Sequence, residues 1–441
     1  MPEGSPARDA AIWALGRWRK DGGRAEALIA EAFVKYALDA RDRALTMELV
    51  YGVIRNLSSL DFTLSKFIKQ TSKGVQDEIR DILRLAAYQV MRLDRVPERA
   101  AVYEAVEQAK IIGGKGAGSF VNGVLRSLIR GRDAVVYPDL PIRYSYPGWL
   151  AKRWLGRFGP DEAEALMAAG NSVPPLTLRA NTLVTDREKL AALLNEAGID
   201  ATPTKYAPDG LVIKGYPQVR ELPGYAVGLF AVQDEAAQLV SLLVSPKSGD
   251  TVLDACAAPG GKSTHMAALS DGKARITAAD IGLDKIRVLK ENITRLKANG
   301  VDTLLADATA PIPVEGLFDK VLLDAPCSAL GVIRRRPEIK YARREEDIAR
   351  LAELQGRMLE NLASLVKPGG VLVYSVCSTE PEEGELLIEK FLKANPAFIL
   401  DDPAQFLPVA ARELVIAPGY VRTYPHRHGT DGFFMARLCR K

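Results

Sequence analysis

The chain has few residues that cross-link or bind metals: its 441 residues include four cysteines and three histidines. Four cysteines, none in a C-x-x-C pair, are too few for a disulfide framework. There is no H-E-x-x-H pair, and the "HRH" at His426 to His428 reads as a polar turn, so no metal site is expected. No apolar run approaches the roughly 20 residues that cross a bilayer. The N-terminal "MPEGSPARDAAIWALGRWRK" breaks its short apolar stretch with charge and lacks the form of a signal peptide, so a cytoplasmic protein without membrane contact is expected. The dinucleotide pattern G-x-G-x-x-G is also missing, which argues against an ordinary nicotinamide or flavin site.

What is present describes an ordinary globular chain. Apolar residues make up 47% and charged residues 26%, too much apolar material for disorder. The length exceeds what one growing core supports, which predicts two or three domains. Net charge is +4, and the surplus is N-terminal: residues 1–137 carry 22 Lys and Arg against 17 Asp and Glu, and the rest carry 37 against 38. That distribution is compatible with contact to a polyanion.

Three segments follow different patterns. Residues 1–137 show apolar spacing of three and four residues throughout, as at Leu45, Leu49, Val53 and Ile54, and predict an all-α bundle. Glycines at 113, 114, 116 and 118 break that pattern once. Residues 138–231 predict a small α+β domain, with strands in "PLTLRANTL", "GLVIKG" and "GLFAVQ" and a helix in "DREKLAALLNEAGI"; it shows no catalytic constellation and reads as a substrate-positioning platform. Residues 232–441 alternate short apolar strands with amphipathic helices, the pattern of a doubly wound, mostly parallel sheet whose ligands bind beyond the carboxyl ends of its strands.

One such strand end carries "DACAAPGGKST". A phosphate loop needs a glycine where Cys256 stands, and Pro259 removes one of the N–H groups that would grip the anion. A nucleotide hydrolase, with Asp324 of "VLLD" as its magnesium acid, is therefore only a rival reading. The turn of Cys256, Ala257, Ala258, Pro259, Gly260, Gly261 and Lys262 is instead followed by Asp280 and Asp307, which end the next two strands. A carboxylate there can accept from ribose hydroxyls, and the second could accept from an adenine amino group. S-adenosyl-L-methionine, which offers adenosine without phosphate, fits this set, with Asp324 at the same rim.

Two further strand ends deliver thiols. "LLDAPCSALG" places Asp324, Pro326 and Cys327 after one strand, and "YSVCSTEPEE" places Cys377 after another. These motifs, with "DACAAPGGKST" and "HGTDGFF", resemble those of RNA cytosine-5 methyltransferases. The stretch "ILRLAAYQVMRLDRVPERAAVYEAVEQAK" followed by "SFVNGVLRSLI" resembles the RNA-binding NusB family. In this domain order the chain is similar to the bacterial 16S ribosomal RNA cytosine-5 methyltransferases that carry a NusB-like N-terminal domain. The resemblance implies a Rossmann-like class I methyltransferase domain with a seven-stranded sheet, S-adenosylmethionine as cofactor, 16S ribosomal RNA as partner and a monomer.

It also implies roles: Cys377 as the nucleophile that adds to carbon 6 of cytosine, Asp324 as the group that holds the base, and Cys327 as the thiol that serves product release. On the residues alone the order stays open, because Pro326-Cys327 imitates the Pro-Cys nucleophile of DNA cytosine-5 enzymes. Gly384 departs from the family's "PEENE", where Asn is usual, and predicts altered helix capping. "RRRPEIKYARR", Arg334 to Arg344, reads as a grip on RNA phosphates with Tyr341 free to stack. A non-catalytic RNA-binding or antitermination factor that keeps the fold for docking is the other alternative.

Overall fold

The computed structural model describes residues 5–68, 74–215 and 218–441. The chain divides into two compact units, Met1–Val173 with Ile333–Arg344, and Pro174–Val332 with Glu345–Lys441.

The first unit is helical among its described residues: Pro6–Asp21, Ala25–Lys35, Ala40–Arg55, Leu57–Ser65, Asp77–Arg92, Glu98–Gly131, and then Leu140–Tyr144, Gly148–Phe158 and Pro160–Asn171. In Asp77–Arg92 the buried Ile79, Ile82, Leu83 and Ala86 recur at helical spacing and form one stripe in the common core. Asp39 starts its helix by accepting a hydrogen bond from the Asp42 N–H at 2.8 Å. Of the four glycines expected to break the pattern, two do so: Gly113 and Gly114 leave helical geometry inside Glu98–Gly131, with φ of 71° at Gly114.

The segment Ile333–Arg344 corrects an expectation. Lys340 is fully buried; its Nζ donates to the Arg55 carbonyl at 2.8 Å and to Asn171 Oδ1 at 3.0 Å. Tyr341 meets the Trp18 ring edge-on at 5.9 Å, and its hydroxyl donates to the Ser145 carbonyl. Arg334 is 4% exposed. Three of the side chains expected to meet RNA are therefore used inside the bundle, where a buried amine needs acceptors and the Arg55 carbonyl and Asn171 supply them.

The second unit holds two sheets. The smaller comprises β1 (Leu176–Ala180), β2 (Ala201–Pro203), β3 (Gly210–Ile213) and β4 (Phe230–Val232), antiparallel in the order β2-β3-β1-β4. Helix Arg187–Glu196 contributes Leu190 and Leu194 to its core. The larger comprises β5 (Thr251–Asp254), β6 (Arg275–Asp280), β7 (Val301–Leu305), β8 (Phe318–Asp324), β9 (Val366–Val376), β10 (Phe398–Leu400), β11 (Val415–Ile416), β12 (Tyr420–Arg422) and β13 (Phe434–Arg440).

The order is β11-β12-β13-β9-β8-β5-β6-β7, with β10 beside β13. Strands β5 to β9 are mutually parallel, and β13 runs antiparallel to β9. The sheet has nine strands where the resemblance implies seven, and three of them, β10, β11 and β12, are only two or three residues long. Val321, Leu322 and Leu323 of β8 are all 0% exposed, as suits a strand covered on both faces. The chain winds outward from β5 through β6 to β7, then crosses back to β8 and β9, so the strand order reverses between β5 and β8. Ligand crevices of open parallel sheets lie at that reversal.

Candidate active site

β5 ends at Asp254 and β8 at Asp324, one on each side of the reversal. After Asp254 the chain turns tightly: the Ala257 N–H donates to the Ala279 carbonyl and the Gly260 N–H to the Ala257 carbonyl, at 2.9 and 2.7 Å. Helix Gly261–Leu269 then begins. Gly260 has φ of 103°, and a β-carbon there would lie 2.7 Å from Leu289 Cδ1, so only glycine suits the turn. Lys262, in the first turn of that helix, reaches across the reversal to Asp324 Oδ2 at 2.5 Å. Ser375 donates to Asp324 Oδ1 at 2.6 Å. Burial works against the Lys262 charge, but Asp324, Asp254 and Cys377 outweigh it and raise the ammonium above its ordinary value, so it stays cationic.

The parallel register explains how the thiols meet. Asp324 pairs with Ser375, and Cys327 and Cys377 follow within three residues on neighbouring strands. Their sulfurs are 3.1 Å apart. The Cys327 thiol is raised well above its ordinary value, first by its hydrogen bond to Cys377 and then by burial, and either sulfur can be the donor of that bond.

The other expected residues lie at the same carboxyl edge. Asp280 ends β6; its Oδ2 accepts from the Ala258 N–H at 3.1 Å, and its Oδ1 accepts from the Ile281 N–H and from Lys285. Asp307 lies two residues beyond β7 rather than ending it, and its Oδ1 takes both the N–H and the hydroxyl of Thr309, which lowers its pKa. Cys256 stays a thiol, pushed up by burial and by Asp280, Asp254 and Asp324. Burial raises Asp254 to about 7; its Oδ2 accepts from Ser263, and its buried Oδ1 has no hydrogen-bond partner among the described residues.

This crevice suits a cationic nucleoside better than a phosphate. Three carboxyl groups line it, and the lysine of its turn is already paired with Asp324. The carboxyl groups at this edge can accept from ammonium and hydroxyl groups, and their negative charge favours a sulfonium nearby. The nucleotide-hydrolase reading loses the lysine it requires.

Sequence reasoning missed several supporting residues. Arg179 of β1 is 0% exposed; its guanidinium donates to the Gly261 carbonyl, to Gln233 and to Thr264, and burial lowers its pKa to about 9. Asn181 donates to the carbonyls of Gly228 and Leu296. The small sheet thus braces the glycine turn, a role invisible until β1 and the helix after β5 are neighbours. Glu383 and the serines beside each cysteine form a second support. Gly331 lies where a β-carbon would meet the Gly432 carbonyl oxygen at 1.9 Å. Helix Glu385–Ala394 begins at Gly384 without a side-chain cap, in keeping with the missing asparagine.

The family model for 16S rRNA methyltransferase RsmB/F matches residues 241–439, the NusB family model matches 5–130, and that for the RsmF/B-like ferredoxin-like domain matches 146–220. Ribosomal RNA small subunit methyltransferase B of Vibrio cholerae is 38% identical over 91% of this chain and 90% of its own, and that of Citrobacter koseri is 36% identical over 91% of each. The crystal structure of PH0851 is 30% identical and covers 99% of both chains with a TM-score of 0.81. NSun6 from Pyrococcus horikoshii, solved with SFG, is 25% identical over 67% of this chain with a TM-score of 0.59. With a parallel sheet whose reversal carries this crevice, and with relatives of that identity along nearly its full length, the chain belongs to the ribosomal RNA small subunit methyltransferase B family of class I, S-adenosylmethionine-dependent methyltransferases.

Proposed function

We propose that this protein methylates carbon 5 of a cytosine in 16S ribosomal RNA through a covalent adduct with Cys377. The observation that carries this reading is the 3.1 Å approach of the Cys327 and Cys377 sulfurs beside the Lys262–Asp324 pair. Carbon 5 of cytosine is a poor nucleophile, and a thiolate adding to carbon 6 makes it enamine-like. Cys377 is the better candidate for that thiolate. Lys262 presents a positive charge to it, and Cys327, the more buried of the two thiols, is pushed up by their shared hydrogen bond and by burial.

Asp324, oriented by Lys262 and Ser375, accepts from the amino edge of the base and stabilises charge as the thiolate adds. Bound S-adenosylmethionine supplies an electrophilic methyl on sulfonium sulfur. The residues that would hold it are the turn Cys256–Lys262 with Asp280, Asp307 and Asp324. After transfer, a base takes the carbon-5 proton, the electrons of that bond form the carbon 5–carbon 6 double bond, the Cys377–carbon 6 bond breaks with its electrons returning to sulfur, and Cys327 serves that release. The base must be unstacked to reach the sheet edge, which favours a single-stranded loop as target. The helical segment 1–137, with its basic surplus, holds RNA, and 138–231 positions it against the 232–441 domain.

Cys377→Ala should abolish methyl transfer from tritiated cofactor to unmodified 16S ribosomal RNA. Cys327→Ala should instead accumulate protein covalently linked to RNA, seen as a shifted band under denaturing conditions. The opposite pattern would exchange the two roles, and bisulfite sequencing of rRNA from a strain lacking the gene would locate the base.

A further inference from the structure

We propose that Glu383 is a positioning residue that clamps the Cys327 and Cys377 loops together and sets the spacing of their sulfurs. It lies in the short 3₁₀ turn Pro381–Glu383, is 0% exposed, and its carboxylate is one of the groups whose charge raises the Cys327 thiol. Its Oε1 accepts from the Ser328 N–H at 2.8 Å and from Gln355 Nε2 at 3.0 Å. Its Oε2 accepts from the Ser328 hydroxyl and the Ser378 hydroxyl, each at 2.5 Å. Ser328 directly follows Cys327, and Ser378 directly follows Cys377. The two hydroxyls are 3.0 Å apart, and Ser328, Ser378 and Gln355 are all 0% exposed.

One carboxylate thus gathers four donors, two of them from one cysteine loop and one from the other. A carboxylate accepts from all four at once, with charge assistance, whereas an amide in its place would have to reverse the two hydroxyl contacts and donate to them. The loops follow different strands, and past the ladder the Gly331 N–H donates to the Cys377 carbonyl. Gln355 donates its second hydrogen to the Pro326 carbonyl, and the Tyr374 hydroxyl donates to the Glu383 carbonyl, so the clamp is itself held from both sides. Without Glu383 the hydroxyls lose their shared partner and the loops are free to separate.

The catalytic consequence rests on the two-thiol reading above, whereas the spacing does not. Sulfur proximity can be read directly by treating the folded protein with diamide, which joins two thiols as a disulfide while its azo group takes up both hydrogens and both electrons. In Glu383→Ala the Cys327–Cys377 disulfide, quantified by peptide mass spectrometry, should form about tenfold more slowly or less, and Glu383→Gln should lie between it and the parent. With 16S ribosomal RNA transcribed in vitro, kcat of Glu383→Ala should fall about 10²-fold, with KM for RNA and the dissociation constant for S-adenosylhomocysteine within about twofold of the parent.

Cross-linking at the parent rate in a variant that still binds S-adenosylhomocysteine overturns the clamp. So does a loss of kcat matched by an equal loss of cofactor affinity, which marks general unfolding. If Glu383→Ala does not fold, the double variant Ser328→Ala, Ser378→Ala takes its place under the same criteria. Slow cross-linking with undiminished kcat supports the clamp and removes the two-thiol reading instead.

Discussion

His265 shows how burial fixes a protonation state. It is 1% exposed, and neither ring nitrogen has a well-formed hydrogen bond among the described residues. Burial and the nearby Arg179 lower its pKa to about 4, and Asp209, 3.5 Å from Nε2, does not offset them. The folded value is depressed below the unfolded one, so the stability involved is complete above about pH 6.5 and is lost as pH falls towards 4. The loss approaches about 3 kcal/mol. His265→Gln should flatten the fall of melting temperature over that window in scanning calorimetry. An unchanged slope would show that other groups carry the acid sensitivity. The same logic applies to Cys256 in the glycine turn after β5, whose thiol is pushed up by burial and by Asp280, Asp254 and Asp324.

The active crevice depends on loops held against one another as much as on strands. Gly331, just after the Cys327 loop, has its N–H on the Cys377 carbonyl and its own carbonyl on the Gly432 N–H. A methyl group at Gly331 would lie 1.9 Å from the Gly432 oxygen, so Gly331→Ala must push apart the strand ends that present the two cysteines. The expected cost is about 3 kcal/mol in denaturant unfolding, together with slower methyl transfer. Gly16, in helix Pro6–Asp21, is the control, because a β-carbon there would meet nothing within 4 Å; its alanine variant should gain about 0.5–1 kcal/mol. A stable Gly331→Ala enzyme would mean that the two loops can part without consequence.

On the scale of the whole chain, the segment Ile333–Arg344 interrupts the sequence of the second unit but belongs to the first. The segment starts three residues beyond Leu330 in the catalytic sequence, yet its Lys340, Glu338 and Arg334 are buried in the first unit. A chain beginning at Pro174 would leave a run of six basic residues without the acceptors that satisfy Lys340. Trypsin should therefore cut that shortened chain first between Arg334 and Arg344, while the full chain resists there, as read by mass spectrometry of the earliest fragments. Equal resistance in both would show that the segment holds its structure without the helical unit.

The sequence alone determined the alternation of strands and helices, the glycine turn after β5, and the two strand ends that carry Asp324, Cys327 and Cys377, because each is written in local periodicity and in turn chemistry. It also placed the helical domain and, through its motifs, the family. It could not show that Arg179 braces the turn, that Glu383 joins two loops 50 residues apart, or that Lys340 and Tyr341 face inward. A basic run looks the same whether its charges meet water or buried carbonyls, and a glutamate in "PEE" reads as the opening of a helix. Those assignments depend on which groups tertiary packing brings within hydrogen-bonding reach, because a buried polar group must find a partner and no local pattern names it.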